Sequence, residues 1–274
     1  HHPVLLGIYA LWGMLLWAYF GGAITRLAAL DAAEKEHTGG IRVAASFAKS
    51  RLTWFFLTPL LPGVAVGAAA LVLMAAGFLM SWPGVNMLVG AGFPLLLLAG
   101  LLMAMIVVLL AAGSTLLYPA IAVEDADSFD AISRAFGYVL GRPWRWLFYN
   151  TVALIYGAIT YLVLAFVVFL SIAAVYHCMR IGAVDKNAFD AILPQPQSGR
   201  LFFSPDWSNL KGTAALTAIM VWVWVSLVVS LLAAYVVSFS ICASTWIYLL
   251  LRRCADGNEL NDIYMPEAAQ ADSE

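Results

Sequence analysis

The sequence predicts an all-α integral membrane protein with about five transmembrane helices, two short amphipathic surface helices and an internal repeat. Three observations carry this prediction. Hydrophobic residues make up 63% of the chain, charged residues only 11%, and the mean hydropathy is +0.89, whereas a soluble domain carries about a quarter charged residues. No Asp, Glu, Lys or Arg occurs in 52–123, 146–179 or 212–251. A transmembrane helix needs about 20 apolar residues, so these runs hold two, one and one spans, and residues 4–25 supply another. Third, the runs are separated by short basic segments with aromatic residues beside them, as expected where helices leave a bilayer.

Taken in order, the first span lies near 4–24. It is span-length and continues into Gly21 and Gly22, which marks a retained helix rather than a secretory signal. The chain begins at His1 and His2 without an initiator Met, so further residues are expected upstream, and the two histidines imply no metal site. A surface helix near 40–52 follows, with Ile41, Ala45, Ala48 and Leu52 on one stripe opposite Arg42, Ser46, Lys49 and Ser50. The second span, near 54–80, contains Pro59, Pro62 and Gly63 as kink candidates.

A turn around residues 81–85 leads to a third span near 87–118, with Gly90, Gly92 and Pro94 breaking its start. A second surface helix near 127–140 places Phe129, Ile132, Phe136, Val139 and Leu140 on one stripe, and Asp127 caps its N-terminus. The fourth span lies near 146–176. An outer loop, 177–212, carries Pro194, Pro196, Phe202, Phe203, Pro205 and Trp207 and reads as irregular. The fifth run, 213–251, would exceed 50 Å as one helix, against a hydrocarbon core of about 30 Å, so tilt, protrusion or a break must absorb the excess. Residues 1–254 form one polytopic domain in this reading. The tail 255–274 has six acidic residues, from Asp256 to Glu274, and no basic one, which predicts a solvated, partly disordered end.

Basic residues set the expected orientation. Arg26, Lys35, Arg42, Lys49, Arg51, Arg134, Arg142, Arg145, Arg252 and Arg253 fall on one side, and only Arg180, Lys186, Arg200 and Lys211 on the other. The positive-inside rule places the N-terminus of this chain outside and its C-terminus in the cytoplasm. Arg51, Trp54, Arg134, Arg142, Trp144, Arg145 and Trp146 are the candidate interface or lipid-headgroup contacts.

The repeat joins a surface helix, basic residues and an aromatic span entry. Lys49, Arg51, Trp54, Phe55 and Phe56 parallel Arg142, Arg145, Trp146, Phe148 and Tyr149. Ser114, Thr115 and Tyr118 parallel Ser244, Thr245 and Tyr248 at the same spacing, each near a span end. Such duplication suits a scaffold and equally suits a transporter with its site between the repeat halves.

Little chemistry is legible. No charged residue lies well inside any predicted span, which argues against proton-coupled pumping or intramembrane acid–base catalysis. Cys178, Cys242 and Cys254 have no metal-ligand spacing. The adjacent His177, Cys178 and Met179 point in different directions on a helix, and His37 reads as a solvated loop residue. The hydroxyl groups within the spans read as packing bonds, and so does the small pair Gly63 and Gly67. Glu124, Asp125, Asp127 and Asp130 form the densest acidic cluster, read as ion-pair partners of Arg134 and Arg142 rather than a cation site. No metal or cofactor is implied.

Residues 118–149, YPAIAVEDADSFDAISRAFGYVLGRPWRWLFY, together with 21–30, GGAITRLAAL, resemble an uncharacterised family of multi-pass inner-membrane proteins of planctomycete-type bacteria. The matching positions are Glu124, Asp127, Ser128, Phe129, Asp130, Ser133, Arg134, Arg142, Pro143 and Trp144, and the resemblance implies no catalytic role for them. More distantly, the layout is similar to the membrane domain attached to some glycerophosphodiester phosphodiesterases, whose catalytic barrel this sequence lacks.

The expected function is therefore a non-enzymatic membrane subunit or scaffold, packed against lipid and other membrane proteins or itself, without nucleic acid. The alternative is a transporter or lipid-handling protein. An enzyme acting through Asp127, Asp130, Arg134 and Arg142 would require those side chains to converge on one pocket.

Overall fold

The protein is described by a computed structural model covering residues 3–33, 40–193 and 212–265. Among these residues all regular structure is helical: α1 (Pro3–Ala32), α2 (Gly40–Ser50), α3 (Leu52–Met80), α4 (Val85–Ala91), α5 (Phe93–Glu124), α6 (Ser128–Gly141), α7 (Pro143–Gly182), α8 (Lys186–Ile192) and α9 (Thr213–Asp256). Five of these helices, α1, α3, α5, α7 and α9, are long and apolar enough to cross a membrane.

The helices outrun the predicted spans. α1 continues through the helix-forming run 27–30 to Ala32, so Arg26 lies inside a helix and not in a loop. The expected third span divides at Gly92, where α4 ends and α5 begins with a proline in its first turn. α3 runs unbroken through Pro59 and Pro62. The outer loop contains α8, whose cap Asp185 accepts from the Asn187 and Ala188 amides at 3.0 and 3.1 Å. The proline and aromatic residues named for that loop lie outside the described residues, as does His37.

The chain divides into two compact units, His1–Asn150 with Ile241–Glu274, and Thr151–Ser240. In the second unit, Tyr235 donates to Thr160 Oγ1, and a Cβ at Gly157 would meet the Phe239 ring. Asp190 on α8 accepts from Tyr176 Oη at 2.8 Å and pairs with Arg180 Nε at 3.0 Å. The hydrogen bonds from Arg180 and Tyr176 hold its carboxyl below the ordinary value.

In the first unit, burial is concentrated at one end of the long helices. α5 is exposed along Phe93, Leu95, Leu97, Leu98 and Leu101, then buried from Leu116 to Val123 except for Tyr118, which is half-buried. α1 is exposed from Val4 to Trp17, apart from a half-buried Met14, and mostly buried from Gly21 to Ala33. α3 buries Phe55, Thr58 and Pro62 near its start, and α9 buries 244–245, 247–249 and 251–252 near its end. At about 1.5 Å per residue α5 is about 48 Å long. Its exposed half suits hydrocarbon, and its buried half reaches beyond what a bilayer needs. α5 is one unbroken helix over this length.

This end is a head in which small residues permit close approach. A Cβ on Gly22 would stand 2.9 Å from the Phe55 ring, and one on Gly21 would stand 2.9 Å from the Tyr118 ring. Phe55 is held edge-on between Phe47 and Tyr118, at centroid distances of 6.5 and 5.1 Å. It has no room to turn aside. Gly22→Ala is therefore expected to destabilise the chain by about 1–2 kcal/mol, overpacking outweighing the helix-propensity gain. Gly13→Ala on the same helix, where a Cβ meets nothing within 4 Å, should be neutral or slightly stabilising. Thermal unfolding of both variants in one detergent checks the pair.

The two short helices fold back on this head. α2 buries Ala44, Phe47 and Ala48 and leaves Ile41 exposed. α6 buries Ser128, Ala131, Ala135, Tyr138 and Val139, while Phe129 and Leu140 face outward. Small side chains sit inward because the helices approach closely there: a Cβ on Gly113 of α5 would lie 2.9 Å from the Phe136 ring and 3.8 Å from the Ala135 carbonyl. The repeat also diverges in detail, since Thr245 is buried and Thr115 is exposed.

Candidate functional site

The head is organised around the C-terminal end of α5. A helix leaves its last four carbonyls without internal partners and carries a partial negative charge there. Asp125 closes α5 in the left-handed region, at φ 56°, and its amide returns to the Ile121 carbonyl at 3.0 Å. Aspartate tolerates that conformation better than most residues. The next two carbonyls are satisfied from far away in sequence. Arg26 Nη1 of α1 donates to Ala122 O, and the Tyr264 amide donates to Val123 O at 2.8 Å.

Arg26 is fully buried. Besides Ala122 it holds the Tyr264 carbonyl through Nη2 at 2.6 Å, and its guanidinium lies 4.5 Å over the Phe47 ring. The cation is thus placed at the negative end of α5, against two carbonyls and an aromatic face.

Glu124, the last residue of α5, is a second hub. Its carboxylate pairs with Arg252 Nε at 3.0 Å and with Arg134, and accepts from Tyr248 Oη at 2.7 Å. Arg134 reaches it from α6 while also pairing with Asp130 at 2.8 Å, one helical turn back. Partial burial alone would lower the Arg134 pKa, but the Asp130 hydrogen bond and the Glu124 charge prevail and raise it. Tyr138 donates to Asp256, and burial together with that bond and the Glu124 charge raises its phenol. Arg51 pairs with Asp125 and lies 4.5 Å over the Trp54 ring. Ser128 Oγ donates to the Trp54 carbonyl at 3.4 Å.

These contacts also fix the chain end. Arg252 Nη1 donates to Asp262 O and Nη2 to Asp262 Oδ2 at 3.3 Å. With its amide oxygen turned to the guanidinium, Asn258 accepts from Arg252 at 3.0 and 3.1 Å. Ile263 is buried. Residues 258–265 are therefore a strap held on the head through Ile263 and the arginine contacts of Asp262 and Tyr264, while Glu259, Asn261, Asp262 and Tyr264 remain exposed. Residues 266–274 lie outside the described residues.

The structure sorts the candidate contacts into two groups. Arg51, Trp54 and Arg134 belong to the internal network. Arg142, Trp144 and Arg145 do not: Trp144 and Arg145 are exposed and Arg142 is half-buried, and neither arginine forms an ion pair among the described residues. Trp146 is half-buried. The expected ion-pair role of the acidic cluster holds for Arg134 and not for Arg142; Arg51 and Arg252 are the other partners. Asp127 caps α6, accepting from the Asp130 amide at 2.8 Å, and Arg142 stands at the opposite end of that helix, about 20 Å away along its axis. The four residues required for an active site do not converge. Among the described residues, no three of His, Cys, Asp and Glu form a group that could hold a metal ion.

Sequence reasoning missed Arg26, Tyr248, Arg252, Asp262 and Tyr264 as members of one cluster. A signal was present for Arg26, because Gly22, Ala23, Ala29 and Leu30, its neighbours one turn away, are all apolar. No protein-family model, curated protein or solved structure matches this chain.

Proposed function

We propose that this chain is a non-enzymatic integral subunit or scaffold of a bacterial inner membrane, with its head in the cytoplasm and the N-terminus of this chain outside. One observation carries the reading: the four arginines at the centre of the head are engaged by its own acids and helix-end carbonyls. Arg26, Arg51, Arg134 and Arg252 are matched by Glu124, Asp125, Asp130, Asp262 and helix-end carbonyls, an arrangement that clamps helices and the strap together. A catalytic or transport site needs groups poised for a substrate, and these are already occupied. The basic residues at this end support its cytoplasmic placement. α2 and α6 act as surface helices, and the exposed apolar lengths of α1, α3, α5, α7 and α9 meet lipid and neighbouring membrane proteins. The resemblance to multi-pass inner-membrane proteins agrees with this class.

Extraction of native membranes in mild detergent, followed by sizing and cross-linking, tests the proposal. The expected result is an assembly larger than one chain. A lone monomer under every mild condition overturns it.

A further inference from the structure

The two short helices occupy equivalent places in the repeat, yet their outer faces differ. The exposed residues of α2 are Gly40, Ile41, Arg42, Ser46, Lys49 and Ser50, mostly polar. α6 instead presents Phe129, 71% exposed, and Leu140, 63% exposed, and the chain then enters α7 through Trp144, 82% exposed, and Phe148, 63% exposed. Large apolar side chains this open are unfavourable in water and favourable in a bilayer. Arg142 and Arg145 lie within this apolar series. They are unpaired among the described residues, whereas Arg26, Arg51, Arg134 and Arg252 are all engaged in the head.

We infer that the α6–α7 junction is a binding surface for anionic phospholipid, with Trp144 at headgroup depth and Arg142 and Arg145 contacting the phosphates. Phe148 fixes the depth: it starts the bilayer-facing length of α7 and follows Arg145 by three residues, about 4.5 Å along the helix. Two unpaired guanidiniums at that depth complement a negative leaflet, and guanidinium geometry suits phosphate oxygens. Tryptophan favours the same zone. The acids on α6 do not compete, since Asp127 caps the far end of the helix and Asp130 is held by Arg134. The inference rests on the proposed membrane placement of the head, but not on assembly with other chains.

The test uses the full chain in detergent micelles supplied with equal phosphatidylglycerol and phosphatidylcholine, with retained lipid counted by native mass spectrometry. The wild type should retain phosphatidylglycerol preferentially. R142Q/R145Q should lose that preference, by about fivefold for each arginine removed, whereas R42Q/K49Q, which removes the same charge from α2, should keep it. R142K/R145K should keep most of it. The inference is overturned if the wild type shows no preference, if R142Q/R145Q retains as much as the wild type, or if R42Q/K49Q loses as much. Failure of assembly in the cross-linking experiment would leave this lipid preference intact, so the two proposals fail separately.

Discussion

Glu124→Gln is expected to destabilise the full chain by about 3–5 kcal/mol, among the largest effects of any single substitution in the head. The side chains of Glu124 and Arg252 are only 10% and 8% exposed, and their atoms meet at 3.0 Å. Glutamine keeps the shape and one acceptor, but leaves the Arg252 cation in a buried place without its principal counter-charge. Arg134, which also pairs with Glu124, is 39% exposed and still has Asp130, so it can turn to solvent at small cost. The loss should therefore arise from Arg252.

A double variant, E124M/R252M, separates these contributions. Replacing a whole buried pair with apolar residues of similar volume is often close to neutral, so the double variant should recover part of what E124Q loses, less the contacts of Arg252 with Asp262 and the bond that the buried Tyr248 hydroxyl gives to Glu124. The interaction energy from the cycle of E124M, R252M and the double variant should be at least about 1 kcal/mol. Unfolding in detergent, followed by tryptophan fluorescence, supplies all the values. If E124Q unfolds within about 0.5 kcal/mol of the wild type, Glu124 is not a hub.

The five long helices were legible because a bilayer is a solvent with one requirement, a long stretch free of charge, and 52–123, 146–179 and 212–251 meet it. The ends of those helices were not legible, because charge was read as the end of a span. Arg26 shows why that rule fails: its hydrogen-bond partners lie 96 and 238 residues away, so nothing local reports its burial. The stripes of α2 and α6 were read as those of membrane-surface helices, and periodicity did not tell which of their residues pack on the head. Close packing at a membrane places small residues such as Ala131 and Ala135 inside and leaves Phe129 and Leu140 outside. In the tail the acids Asp256, Glu259 and Asp262 are exposed, and composition gave no sign that Ile263 is buried and that Asp262 and Tyr264 meet arginines.

Substituting Arg26 tests whether the strap depends on the buried cation. Arg26→Met preserves the length and apolar stem of the side chain but removes the donors to Ala122 O and Tyr264 O. The Ala122 carbonyl left unsatisfied in a buried place costs about 1–3 kcal/mol, the part-buried Tyr264 carbonyl costs less, and relief of the arginine's own desolvation offsets part of this. A net loss of about 1–3 kcal/mol is expected. A local effect should accompany it, because Arg26 holds the residue whose amide bonds to Val123 O at 2.8 Å. Hydrogen exchange at the Tyr264 amide should accelerate tenfold or more in R26M, while helical amides of α3 in mid-span stay protected. Arg26→Lys should fall between, since one ammonium cannot reproduce the two-armed grip on Ala122 and Tyr264. A protected Tyr264 amide in R26M would mean that the strap is held by Arg252 and Ile263 alone.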